Sequence, residues 1–273
     1  MENKPYPRIK NAILLCLLLL VIQIVLGLAL GLSGASEESL VYGAGIILIN
    51  VLSFGIVILI GFKKTRKGFN EVFKFNNVSS NVWISVVVFM FGFVILSSEI
   101  DNLLNYILPM PDFLHDIFIS MLVNEYLIVS IILVGISPAF LEEMLFRGVI
   151  LYGFKENYTN RKAILMSAFL FGFIHLNPYQ FVTAFIIGIV TAWIYIKTDS
   201  ILPCIYIHLF NNMLAVLVLK YSDVFTIRGF NTVYLEHSFQ PLWFNAIGIV
   251  LTAVGAYLLI NSINNKEPAN PES

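Results

Sequence analysis

Charge is what this sequence has least of. Asp, Glu, Lys and Arg make up 12% of the 273 residues, against about 25% in soluble domains. With 16 basic and 17 acidic residues, there is too little charge to cover a soluble body of this length. A net charge of −1 also excludes a basic nucleic-acid binder. Cysteine is nearly absent: Cys16 and Cys204 both lie in apolar stretches, which excludes a disulfide framework and a CxxC metal site. Glycine (17) and proline (10) are modest and form no collagenous or low-complexity block, and no repeat of fixed period occurs. Hydrophobic residues, at 58%, are abundant, which excludes a disordered chain. The class left is a polytopic membrane protein.

A membrane-crossing helix needs about 17–25 apolar residues without charge. Eight stretches approach this: Asn11–Leu32, Val41–Phe62, Val82–Ser97, Tyr126–Phe154, Ala163–Leu176, Tyr179–Ile196, Ile201–Leu219 and Leu242–Ile260. The third and fifth are short, and the fourth is long enough to be tilted or kinked. The runs are continuous rather than alternating, so they read as helices and not as barrel strands. Lys4, Arg8 and Lys10 precede the first stretch, as in a secretory signal, but that stretch exceeds the roughly 7–15 apolar residues of such a signal. An uncleaved helix is expected. The expected fold is therefore all-α, with about eight transmembrane helices in one bundle spanning 11–262. A cytoplasmic segment at 1–10 precedes the bundle, and a mobile tail at 263–273 follows it.

Lys and Arg orient such a bundle. With both termini cytoplasmic, 14 of the 16 basic residues fall inside, and only Lys220 and Arg228 fall outside. Lys63, Lys64, Arg66 and Lys67 form the strongest inside mark. The segment Ser98–Glu125 carries Glu99, Asp101, Asp112, Asp116 and Glu125 with no Lys or Arg, and reads as an outer loop. Within it, Phe113, Ile117, Phe118, Met121 and Leu122 have the spacing of a short helix on the membrane surface. His115 and His237 also fall in outer segments and are expected to be solvated.

Ionisable residues inside a span cost roughly 2.5–3.5 kcal/mol on insertion scales, so they mark function. The fourth stretch contains Pro138, Glu142, Glu143 and Arg147. The fifth contains His175, with Asn177 and Pro178 at its end, and the seventh contains His208, Asn211 and Asn212. Glu143 and Arg147 are four residues apart, share a helix face and can neutralise each other. Glu142 lies about 100° from Glu143 around the helix, free to face something else. Pro138 lacks an N–H and frees the carbonyl of Val134, loosening the helix one turn before Glu142. An apolar surrounding disfavours a charged carboxylate and makes it a better proton acceptor. His208 and Asn212 can donate hydrogen bonds to an oxyanion. These are the parts for hydrolysis by an activated water. Gln23, Asn50, Asn211 and Asn245 read instead as interhelical hydrogen-bonding residues, worth about 0.6 kcal/mol each.

The pattern Glu142-Glu143-x-x-x-Arg147, Phe171-x-x-x-His175 and His208-x-x-x-Asn212 resembles the three motifs of the CPBP intramembrane protease family, the CAAX protease and bacteriocin-processing or Abi family. Each motif is weak alone, but three in order on separate spans are specific. The resemblance covers about 131–219. It implies an intramembrane endopeptidase cleaving a membrane-associated peptide or protein near its terminus. Glu142 would activate water, His175 would help to bind it, and His208 and Asn212 would stabilise the oxyanion. Glu143 and Arg147, with Phe171, would support the site. Short loops and compact length suggest a bacterial plasma-membrane member, for which a prenylated substrate is not expected. The implied partners are lipid and a peptide or small-protein substrate, with no nucleic acid.

A zinc ion is a second version of the same site. The HExxH signature is absent, yet Glu142, His175 and His208 could supply three ligands with an open fourth position. A metal-free glutamate mechanism uses the same residues and is favoured. The non-enzymatic alternatives are an immunity factor that binds a toxin and a small proton-coupled transporter. The second is disfavoured because inverted repeats are not visible.

Overall fold

A computed structural model describes residues 5–36, 39–122, 126–222, 224, 226–231 and 238–264, with the backbone alone for 118–122. All regular structure among them is helical. Ten helices follow in order: α1 (Ile9–Gly31), α2 (Leu40–Thr65), α3 (Phe69–Val72), α4 (Ser80–Ile107), α5 (Asp112–Leu122), α6 (Leu127–Asn157), α7 (Asn160–Phe173), α8 (Pro178–Thr198), α9 (Leu202–Lys220) and α10 (Leu242–Asn264). Seven of these, α1, α2, α4, α6, α8, α9 and α10, are long and apolar enough to cross a membrane, and they pack in one bundle.

The fifth expected span, Ala163–Leu176, is the departure. It forms α7, a helix of 14 residues, about 21 Å long by helical rise and short of a bilayer core of about 30 Å. Local chemistry sets both ends. Thr159 caps the start, and Leu176 turns the chain in the left-handed region at φ 50°. The Asn177 side chain then accepts the Tyr179 N–H at 2.9 Å, and Pro178 occupies the first turn of α8. Here α7 folds back along α8.

The third span is longer than its apolar run. α4 continues past Ser97 to Ile107, so Glu99 and Asp101 belong to a helix and not to the outer loop that their charge suggested. Partners make this affordable. Glu99 accepts hydrogen bonds from the Asn102 side chain, the Gln240 N–H and the Asn245 side chain at 2.9–3.0 Å, and Asp101 accepts one from Thr183 at 2.7 Å. The surface helix α5 forms over the expected residues, with Phe113 and Ile117 exposed. His115 is not solvated as expected: its side chain is 14% exposed, with Nδ1 3.4 Å from Asp116. His237, Glu125 and residues 265–273 lie outside the described residues, and Ile263 and Asn264 complete α10.

Close approach of backbones holds α4 to α10. A Cβ added at Gly92 would lie 2.3 Å from the Thr252 nitrogen, and one at Gly255 would lie 2.3 Å from the Phe89 nitrogen. This is the small-residue packing that lipid-embedded helices use where no hydrophobic force drives them together. Polar contacts add to it elsewhere. Gln23 of α1 donates to Asn50 of α2 at 3.2 Å.

Segments expected on one membrane side share one end of the bundle. Lys74 and Lys155 both reach Asp199, at 2.6 and 3.6 Å, while Asn157 donates to the Pro5 carbonyl at 2.7 Å. The connection carrying α3 crosses this end, where Phe62, Phe69 and Phe73 form an aromatic cluster. Phe75 continues it to Phe140 of α6, at 6.4 Å between rings.

Candidate active site

α6 is not a uniform α-helix. Two stretches of wider π-helical turn, Ile131–Ile136 and Met144–Ile150, flank a short α-segment, Ser137–Glu143. Such turns recur at functional sites because they shift side chains relative to the regular helical faces. Pro138 lies in the first turn of the α-segment and removes one N–H from the ladder. Just before it, in the first π-helical stretch, Val134 O accepts a hydrogen bond from the Asn212 amide of α9 at 2.9 Å. The break in α6 is thus capped from another helix.

One turn beyond, the two glutamates separate. Glu143 and Arg147 are fully buried and form an ion pair, Nε to Oε2, at 3.0 Å. The other Glu143 oxygen, Oε1, lies 3.1 Å from His208 Nδ1. Arg147 also donates to the Thr191 hydroxyl of α8 and sits over the Phe171 ring, 4.6 Å from its centroid. Phe171 is the hub of the cluster. Its ring meets His175 edge-on at 5.6 Å and His208 at 5.5 Å. Buried charges need partners, and Glu143 and Arg147 find theirs in each other, His208, Thr191 and the Phe171 ring.

Glu142 is different. It is 9% exposed, and its Oε2 has no hydrogen-bond partner among the described residues. The Ser137 hydroxyl, one turn and a half back on the same helix, is also buried without a partner. Unsatisfied buried polar atoms are rare in folded proteins and mark positions held for a water, an ion or a substrate. His175 is half-buried at the end of α7, where Nδ1 lies 2.9 Å from the Phe171 carbonyl. A carbonyl only accepts, so Nδ1 carries the hydrogen and Nε2 is left as an acceptor. The same logic applies to His208, whose Nδ1 faces a carboxylate.

The structure therefore brings Glu143, Arg147, Phe171, His175 and His208 together, while Glu142, next to Glu143 in the chain, keeps an open oxygen. Asn212, expected to donate to an oxyanion, donates here to the backbone of α6. For the zinc version of the site, no three His, Cys, Asp or Glu side chains among the described residues are close enough to hold a metal ion. Glu143, and not Glu142, is the carboxylate beside His208. Thr191 was not anticipated. The only signal for it was a threonine inside an apolar helix, which most often bonds its own backbone, as Thr191 also does to Ile187 O at 2.8 Å.

These features define a helical membrane protein with a buried carboxylate–arginine–histidine cluster and one uncommitted carboxylate. Residues 124–214, a third of the chain, match the family described as type II CAAX prenyl endopeptidase Rce1-like. This is the CAAX protease family that the three motifs resemble, and all three lie within the matched segment. The match supports a CAAX-type intramembrane endopeptidase in general. No curated protein and no solved structure matches the chain.

Proposed function

We propose that the chain cleaves a membrane-associated peptide or protein near its terminus, using a water activated by Glu142. The observation that carries this reading is the contrast within one dipeptide. Glu143 faces Arg147 at 3.0 Å with one oxygen and His208 at 3.1 Å with the other, whereas Glu142 Oε2 is buried with neither an ion-pair nor a hydrogen-bond partner among the described residues. A carboxylate in that state is poised to accept a proton.

In the proposed reaction a water bound between Glu142 and His175 Nε2 attacks the scissile carbonyl carbon, and Glu142 takes its proton. The carbonyl oxygen becomes an oxyanion beside His208, whose ring Glu143 orients through Nδ1. Collapse re-forms the carbonyl and breaks the C–N bond, and the proton on Glu142 passes to the leaving amine. Asn212 acts by positioning: its bond to Val134 O fixes the broken turn of α6 that presents Glu142. In the proposed reaction no step is routed through a metal.

Purified protein in proteoliposomes, given membrane peptides with and without a prenyl group and read by mass spectrometry, tests the reading. Cleavage by the wild type is expected to fall at least 100-fold in Glu142→Ala, His175→Ala and His208→Ala at matched amounts of folded protein. Full retention in all three contradicts it. The prenylated and unmodified arms separate the substrate named in the family description from an unmodified peptide.

A further inference from the structure

A cavity of mixed polar and apolar lining lies between α4, α8 and α9. Its volume is about 120 Å³, and Ser97, Ser98, Asp101, Asn102, Thr183 and Asn211 line it, along with the Gly229 turn. On this measure a water needs about 10–15 Å³, so the space holds several water-sized groups.

The hydrogen bonds of the lining decide what it can bind. The single hydroxyl hydrogens of Ser97, Ser98 and Thr183 go to Val94 O, Gly229 O and the Asp101 carboxylate respectively. The Asn102 amide donates to Gly229 O at 2.6 Å and to Glu99 at 2.9 Å. The orientation of Asn211 follows from a chain of necessity. Val134 O can only accept, so Asn212 turns its amide nitrogen there, and its own oxygen must then receive the Asn211 nitrogen, at 3.1 Å. Asn211 then has its side-chain oxygen and one amide N–H left. Acceptors outnumber that donor, because the polar lining offers carboxyl, hydroxyl and carboxamide oxygens.

Asp101 adds a carboxyl group without a counterion: among the described residues no Lys, Arg or His lies in ion-pair range of it. Glu99 lies two residues away on the same helix. A surplus of acceptors around a carboxyl group disfavours anions and favours a cation rich in N–H donors, which would hold Asp101 in its ionised form. We propose that this cavity binds an alkylammonium group. Two sources carry that chemistry: a lysine side chain or amino terminus of a peptide substrate, and an aminophospholipid headgroup. Asn211 is three residues past His208, about 4.5 Å along the helix axis, so a peptide anchored here would lie next to the catalytic cluster.

The test reads binding, so it stands whether or not the protein cleaves peptides. Full-length protein is placed in nanodiscs of phosphatidylcholine, whose headgroup has no N–H donor, and ¹³C-methylammonium is titrated by NMR. Saturable binding is expected, at least tenfold weaker in Asp101→Asn. Tetramethylammonium, with equal charge and no donors, is expected not to saturate the site. Equal binding by Asp101→Asn or by tetramethylammonium overturns the proposal. Should Asp101→Asn fail to fold, the comparison of the two cations on the wild type decides alone. Displacement of methylammonium by a lysine peptide but not by its norleucine analogue assigns the peptide source. Displacement by phosphatidylethanolamine in the nanodisc assigns the lipid source, and displacement by neither overturns both assignments.

Discussion

Adjacent glutamates on one helix do different work because their partners differ. Glu143 is sealed between a guanidinium and an imidazole, with no exposed surface. Removing either partner of such a buried pair leaves an uncompensated charge, which costs about 3–5 kcal/mol. Arg147→Met is therefore expected to lower the thermal midpoint together with activity, and an unchanged midpoint would show that the pair is not structural. Glu142→Gln keeps shape and volume while removing the proton acceptor, so the midpoint is expected to hold while turnover falls. Chelation follows from the donor geometry. Cleavage is expected to persist in samples that elemental analysis shows to be free of zinc, and loss restored by added zinc would contradict the metal-free reading. At this scale the sequence was informative about which residues matter and less so about their pairing. Helical spacing paired Glu143 with Arg147, but which carboxylate meets His208 depends on how α9 packs against α6, and no local pattern encodes that.

α6 is an element whose irregularity is held from outside. Pro138 opens the ladder, and Asn212 closes it from α9. Asn212→Leu is expected to leave Val134 O unsatisfied, at a cost of about 1–3 kcal/mol, and to slow cleavage by letting Glu142 drift. Asn212→Gln, which keeps the donor, is expected to recover part of both, read by hydrogen exchange along α6 and by kcat. Equal loss in both variants would remove the positioning role. Proline made the break visible in the sequence, whereas the π-helical turns on either side were not. Element ends behaved in the same way. Apolar runs located the helices, but α4 runs ten residues past its run because Asn102, Gln240 and Asn245 satisfy Glu99. α7 is short because Asn177 and Pro178 cap the next helix too soon for it to extend.

The whole bundle is held together by close packing and scattered polar contacts, as expected where lipid replaces water. The α4–α10 contact is the tightest place to test this. Gly255→Ala would press a methyl against the Phe89 backbone, 2.3 Å from its nitrogen, and is expected to separate the helices and lower the midpoint by several degrees. No change would mean that the interface yields freely. Composition alone identified a membrane bundle, and the seven long helices bear that class out. What composition could not reveal is tertiary: the Phe171 hub, the Thr191 contact and the acceptor-lined cavity at Asp101 join residues far apart in sequence. The central claim is that Glu142 activates the hydrolytic water, and the most direct measurement compares Glu142→Gln with wild type in proteoliposomes at matched folding, following peptide cleavage and ¹⁸O incorporation from labelled water. A loss of about 10²–10⁴-fold, the usual contribution of a general base, with ¹⁸O in the new carboxylate formed by the wild type, is the predicted result. Undiminished cleavage by the folded variant would contradict it.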